Sequence, residues 1–174
     1  MTTTQTPRPA AVFPAPAEAH VYHFSLHTSG HVLALFTGSR ADHAVATRAA
    51  ELAARTGHRV TAAAIVRSTG FSINALLHHA RSRRIQAETR AILAPVLPLV
   101  ARAGPIRTTT LVVSARINPY RALPADRVVH LAEHTGTEIA VSPVPLTGHT
   151  SPITQGLRRI PGPHPRDRTM ATHP

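Results

Sequence analysis

A chain of 174 residues with 43% hydrophobic residues and no cysteine has the length of one domain with a packed core, and it excludes disulfides, thiolate zinc sites and cysteine nucleophiles. Nineteen basic residues, every one an arginine, stand against eight acids and give a formal charge of +11. Such a field attracts polyanions. The arginines are scattered and only 3% of residues are aromatic, so an Arg-, Ala- and Pro-rich composition accounts for the same charge without a partner.

Residues 1–19 carry Pro7, Pro9, Pro14 and Pro16 among Thr and Ala. They lack the charged start and continuous apolar run of a secretory signal and are read as a flexible extension. No stretch approaches the roughly 20 apolar residues that a bilayer span needs, so a soluble, cytoplasmic protein with no membrane partner is expected. Residues 21–27 (VYHFSLH) alternate, with Tyr22, Phe24 and Leu26 on one face and His23, Ser25 and His27 on the other. This predicts a strand at a sheet edge, or one sheltering a sheet face.

His31–Phe36 (HVLALF) is an apolar run ending at Gly38, the pattern of a strand buried on both faces. Ser39 is placed to act as a helix N-cap with Asp42 three residues on, an acidic variant of the capping box. Ala41, Val45, Ala49, Leu52 and Ala53 recur at helical spacing, and Gly57 supplies a C-terminal cap. A helix over about 40–56 follows, and then a second apolar strand from Val60 to Val66. A strand–helix–strand unit of this length favours a parallel crossover.

From Ser72 to Ala103 the pattern is helical, with Pro95 and Pro98 expected to kink or split it. Residues 107–114 (RTTTLVVS) read as a third strand. Val128, Val129, Leu131 and Ala132 mark a helix ending at Gly136, and 137–142 (TEIAVS) is the fourth strand. The predicted fold is an α/β domain over residues 20–160, a doubly wound parallel sheet with helices on both faces, followed by a disordered tail at 161–174 rich in Pro. Ligands of such sheets sit beyond the carboxyl ends of the strands.

Two stretches, HVLALFTGSRADHAVATRAAELAARTGHRVTAAAIV (31–66) and VVHLAEHTGTEIAVSPV (128–144), resemble the universal stress protein family, whose fold is adenine nucleotide alpha hydrolase-like. The resemblance spans roughly Gly30 to Pro145. It implies an adenine-nucleotide site near the first turn, and a dimer contact through a last strand. Thr37 stands where the family commonly has Asp. After the fourth strand, family members that bind ATP carry a G-x2-G-x9-G-[ST] loop whose backbone N–H groups cradle phosphates. Here Pro143, Pro145 and Pro152 remove donors, and Gly148 and Gly156 have another spacing. Residues 156–165 resemble the end of the family's last helix and the approach to its final strand, but 166–173 is not apolar.

The histidines, including His20, His23 and His27 and the adjacent His78 and His79, are read as exposed imidazoles rather than metal ligands. No phosphate-loop lysine, serine elbow or paired-carboxylate spacing is present. The leading expectation is a non-enzymatic protein of universal-stress type, with a degenerate nucleotide site and a regulatory or interaction role in stress response. An alternative is binding of ATP or AMP through Thr37, Gly38, Ser39 and a rebuilt loop near Gly148. Another is nucleic-acid binding through Arg81, Arg83 and Arg84, the densest basic cluster.

Overall fold

The computed structural model describes residues 18–24, 30–68, 75–148 and 158–160. The predicted extensions at 1–19 and 161–174 lie outside these residues apart from Glu18 and Ala19, as do Ser25 to Ser29, Pro152 and Gly156. In chain order the elements are β1 (His20–His23), β2 (His31–Phe36), α1 (Asp42–Thr56), β3 (Arg59–Ser68), α2 (Ala75–Leu93) and α3 (Leu97–Val100). A 3-10 turn at Ala101–Ala103 leads to β4 (Ile106–Ser114), β5 (Leu123–Pro124), α4 (Ala125–Thr135), β6 (Thr137–Ser142), β7 (Leu146–Thr147) and β8 (Arg158–Ile160).

Strands β4, β3, β2 and β6 lie side by side and parallel, and the sheet continues through β1 to β8. The order of the parallel strands reverses after β4. The chain steps outward from β2 to β3 to β4, then returns to lay β6 on the other side of β2. Crossovers of one hand must therefore put the first helices and the last on opposite faces, and the packing agrees. Val32, Ala34 and Phe36 of β2 pack with Val45, Ala46 and Ala49 of α1 and with Leu93, Val96 and Val100. Leu33 and Leu35 face the other way, toward Leu123 and Val128, Val129 and Ala132 of α4. The period-2 side-chain alternation of a strand covered on both faces turns a continuous apolar run into two cores. Ala62, Ala63 and Ala64 are fully buried at the middle of β3, consistent with the small-aliphatic interior that the composition implies.

Local sequence explains where the helices stop. Gly57 and Gly136 close α1 and α4 at left-handed φ of 72° and 65°, each donating its N–H back into the last helical turn. Pro95 and Pro98 split the long helical segment, so α2 ends at Leu93 and α3 restarts at Leu97 with Pro98 in its first turn.

Two expectations are corrected at the other side of the sheet. Strand β1 is not an edge strand: it pairs antiparallel with β6, His20 opposite Ser142 and His23 opposite Ile139, and on its other side with β8. Both its faces are covered, Val21 packing on the α1 side and Tyr22 and Phe24 on the α4 side. The segment read as resembling the end of a last helix contains β8 instead, with Arg158–Ile160 in strand register against Val21 to His23. β1 thus takes the place beside β6 that a next parallel strand would occupy.

Candidate functional site

At the carboxyl end of β2 the chain leaves the sheet at Thr37 and Gly38, the latter at φ +78°. That left-handed value suits glycine, since a Cβ there would crowd the backbone. The turn then feeds α1, whose first residue is Asp42. The predicted capping box is not formed by Ser39. The residue preceding the helix is Ala41, itself helical, and no side chain caps the helix N–H groups. The capping runs in reverse. The Asp42 carboxylate reaches back and accepts from the Thr37 N–H (3.1 Å to each oxygen) and from the Gly38 N–H at 2.7 Å. The Ser39 hydroxyl donates to it at 3.2 Å. Thr37 Oγ1 lies 3.2 Å from Asp42 Oδ1 and 3.0 Å from Ser39 Oγ, so its single proton completes the ring. Asp42 is 4% exposed and Thr37 3%. A buried carboxylate is tolerable there because charge-assisted donors surround it at the positive end of a helix.

The loop after β6 is also satisfied from within. Pro143 and Pro145 have no N–H. The Val144 N–H donates to Ser142 Oγ at 3.3 Å, and the Leu146 N–H to the buried Tyr22 hydroxyl at 3.0 Å. The chain then runs beside β5 as β7, the Leu123 N–H donating to the Pro145 carbonyl at 3.1 Å. Gly148 comes to rest against the start of α4, where a Cβ would lie 3.6 Å from the Ala125 nitrogen. The candidate residues Thr37, Gly38 and Ser39 are therefore one bonded turn, while Gly148 stands at α4 and is not gathered with the residues lining the crevice described next.

No family model matches the sequence, and no curated protein matches it. Three solved structures similar to this chain are universal stress proteins. One, in complex with cAMP, is 19% identical, covering 65% of this chain and 75% of its own at a TM-score of 0.45. The protein UspA from Lactobacillus plantarum is 20% identical over 73% of this chain and 83% of its own, with a TM-score of 0.47. A third, from Burkholderia pseudomallei, is 18% identical over 63% and 80%, with a TM-score of 0.41. This is the family that the first turn and the Ala-rich helix resemble in the sequence.

A crevice opens next to the turn for a reason visible in the register. β2 ends with Phe36 opposite Ala64, while β3 continues through Ile65, Val66, Arg67 and Ser68, paired only with β4 as far as Ser114. Helix α2 lies over this overhang, tied to β4 by a 3.0 Å bond between the Thr89 and Thr110 hydroxyls. The space between forms two adjoining lobes. One, about 330 Å³, is lined by Thr37, Gly38, Ile65, Ala91, Ile92 and Pro119; the other, about 340 Å³, by Ser68, Arg81, Arg84, Ile85 and Ala115; Arg67, Glu88 and Tyr120 line both.

The basic cluster singled out in the sequence is thus divided. Arg81 and Arg84 share a helix face with Ile85 and Glu88 and line the crevice; Arg83 is exposed and does not. Among the described residues no three His, Asp or Glu side chains are grouped to hold a metal ion, and no helix is long and apolar enough to cross a membrane.

Proposed function

We propose that this protein is a non-enzymatic regulatory or interaction protein of universal-stress type whose first turn does not hold a nucleotide phosphate. One observation carries this reading: the Thr37 and Gly38 N–H groups, the donors that the turn would offer a phosphate, both point at the carboxylate of Asp42. A phosphate at hydrogen-bonding distance would meet that carboxylate about 4 Å away. Like unit charges at that separation cost about 4 kcal/mol at an effective dielectric of 20, about a thousandfold in affinity. The loop after β6 offers no compensation between Pro143 and Leu146, where two residues lack an N–H and the other two donate internally. The engagement of Asp42 within the turn supports the non-enzymatic half of the reading. Asp42 accepts from the Thr37 and Gly38 N–H groups and from the Ser39 hydroxyl, so it is held as a structural acceptor.

The test is to denature natively purified protein and assay the released small molecules. This reading expects no adenine nucleotide above trace, and no rise in Tm on adding Mg-ATP. One equivalent of ATP or AMP per chain would overturn it and restore the nucleotide-binding alternative.

A further inference from the structure

The two edges of the sheet are closed differently. On one side β8 is three residues long and carries Arg158 and Arg159, and Pro161 follows it in the sequence; each of these features blunts an edge. On the other side β4 runs for nine residues without proline, in unbroken register with β3 from Ile106 opposite Val60 to Ser114 opposite Ser68. Among the described residues β4 has no second neighbouring strand, so along that side its backbone N–H and C=O groups are open to pairing. Ile106, Thr108, Thr109, Thr110, Val112 and Val113 are β-branched, which favours the extended chain. Val112, on the same face as Thr110, is 38% exposed, apolar surface that a neighbouring strand would cover. The charge around this edge is of one sign. Between Thr89 and Ala125 the chain has no acid. Arg102 and Arg107 stand at the amino end of β4 and Arg116 and Arg121 beyond its carboxyl end, all four exposed. The ion pairs of the described residues lie elsewhere, at Arg48–Glu51 and His130–Glu133.

We infer that the free edge of β4 takes up an extended segment of a partner protein as an added strand, the segment carrying acidic residues near both its ends. Main-chain hydrogen bonds along the edge supply the affinity, and the arginines at its two ends supply the selection. At about 3.3 Å per residue the strand sets these basic ends roughly 30 Å apart, so a segment of about eight to ten residues spans them. Because both ends are basic, either strand direction satisfies the charges. Side chains on one face of the segment cover Val112; on the opposite face Leu111 and Val113 are already buried. A second copy of this chain is a poorer occupant, since edge-to-edge pairing would bring the same four arginines together on a chain of net charge +11. A nucleic acid is also poorer. The edge presents donors and acceptors in alternation, and phosphate oxygens only accept. This edge is separated by β3 from β2 and the Asp42 turn that follows it, so it takes a strand whether or not the turn holds a nucleotide.

The probe is a capped, fluorescein-labelled peptide of alternating Val and Thr with Glu at each end, nine residues long to match β4, and the full chain is titrated into it by fluorescence anisotropy. Saturable one-to-one binding is expected. Hydrogen-exchange protection should be gained at every second amide of β4, because alternate N–H groups of a strand point to the same side. N-methylation of one alternate set of peptide residues abolishes binding, and N-methylation of the other set spares it. Arg107→Gln combined with Arg116→Gln weakens the peptide by about fivefold, the scale of two exposed ion pairs, and a peptide with Lys for Glu is weaker by at least as much. Arg40→Gln combined with Arg55→Gln, the same change of charge away from the edge, leaves the affinity unchanged. Circular dichroism checks that each variant is folded. Absence of saturable binding overturns the inference, and so do equal losses in the two double variants, indifference to N-methylation, or protection that appears at β8. Protection of β4 that rises with protein concentration without peptide overturns it in favour of a second copy. Equal protection by a single-stranded oligonucleotide overturns it in favour of a charged surface.

Discussion

Replacing Asp42 with alanine removes the acceptor of the Thr37 and Gly38 N–H groups and of the Ser39 hydroxyl. The Thr37 N–H, on a residue 3% exposed, is left without a partner, while Gly38 is exposed and its N–H turns to water. A hydrogen bond to a buried charged group contributes about 1.5–3 kcal/mol, which includes the cost of stranding its partner. Loss of an acid from the first turn of a helix adds about 0.3–1 kcal/mol. Asp42→Ala should therefore cost about 3 kcal/mol. With a urea dependence of about 2 kcal/mol/M, the unfolding midpoint falls by about 1.5 M. Asp42→Asn keeps the shape and one acceptor oxygen, and should lose about half as much. The alanine variant also frees two N–H groups in the turn before the helix, so sulfate should stabilise it more than it stabilises the wild type, where the salt acts only through exclusion from the surface. Urea titrations with and without sulfate measure all of this. A loss below about 0.5 kcal/mol for Asp42→Ala, or equal sulfate effects on variant and wild type, would refute the reasoning.

Three further outcomes follow from the same structure. Gly38→Ala meets only an ordinary contact with Ile92 at 3.5 Å but must hold φ near +78°, so it should lose about 1–2 kcal/mol in urea without a change in slope. Tyr22→Phe removes the acceptor of the Leu146 N–H; a loss of about 1 kcal/mol is expected, together with faster hydrogen exchange at Leu146. The pKa of His31 is lowered by burial first, then by Arg107, Arg59 and His58. Its unfolded value is about 6.5, so the unfolded chain binds the proton more readily. The stability tied to neutral His31 is intact above that pH and is lost as pH falls toward the lower folded value. Between pH 7 and 5 the wild type should lose more stability than His31→Gln; parallel pH curves would contradict the assignment.

Most of the frame could be read from the sequence because it is encoded locally. Apolar runs at 31–36 and 60–66, helical spacing after Asp42, and glycines at 57 and 136 each act within a few residues. The place of β1 could not be read that way. Four residues pair with partners more than a hundred positions away, and alternation alone does not say whether a strand is an edge or an interior one. At the turn, the Ser39–Asp42 spacing correctly marked a helix start, but the geometry reverses the roles: the acid accepts from Thr37 and Gly38 instead of Ser39 accepting from the helix. The crevice was legible only in part. Arg81 and Arg84 stood out as a cluster, whereas Arg67, Glu88 and Tyr120 meet only because β3 outlasts β2. The available signal was Arg67 directly after the apolar run, at the carboxyl end of a strand.

The Asp42 carboxylate occupies the turn through its bond from the Gly38 N–H, and magnetisation transfer across that hydrogen bond reads it directly. A long-range correlation from the Gly38 amide nitrogen to the side-chain carboxyl carbon of Asp42 is expected, given the 2.7 Å separation, and it should persist when millimolar Mg-ATP is added. Absence of the correlation, or its loss on adding ATP, would show that the turn is open to a phosphate and would contradict the account.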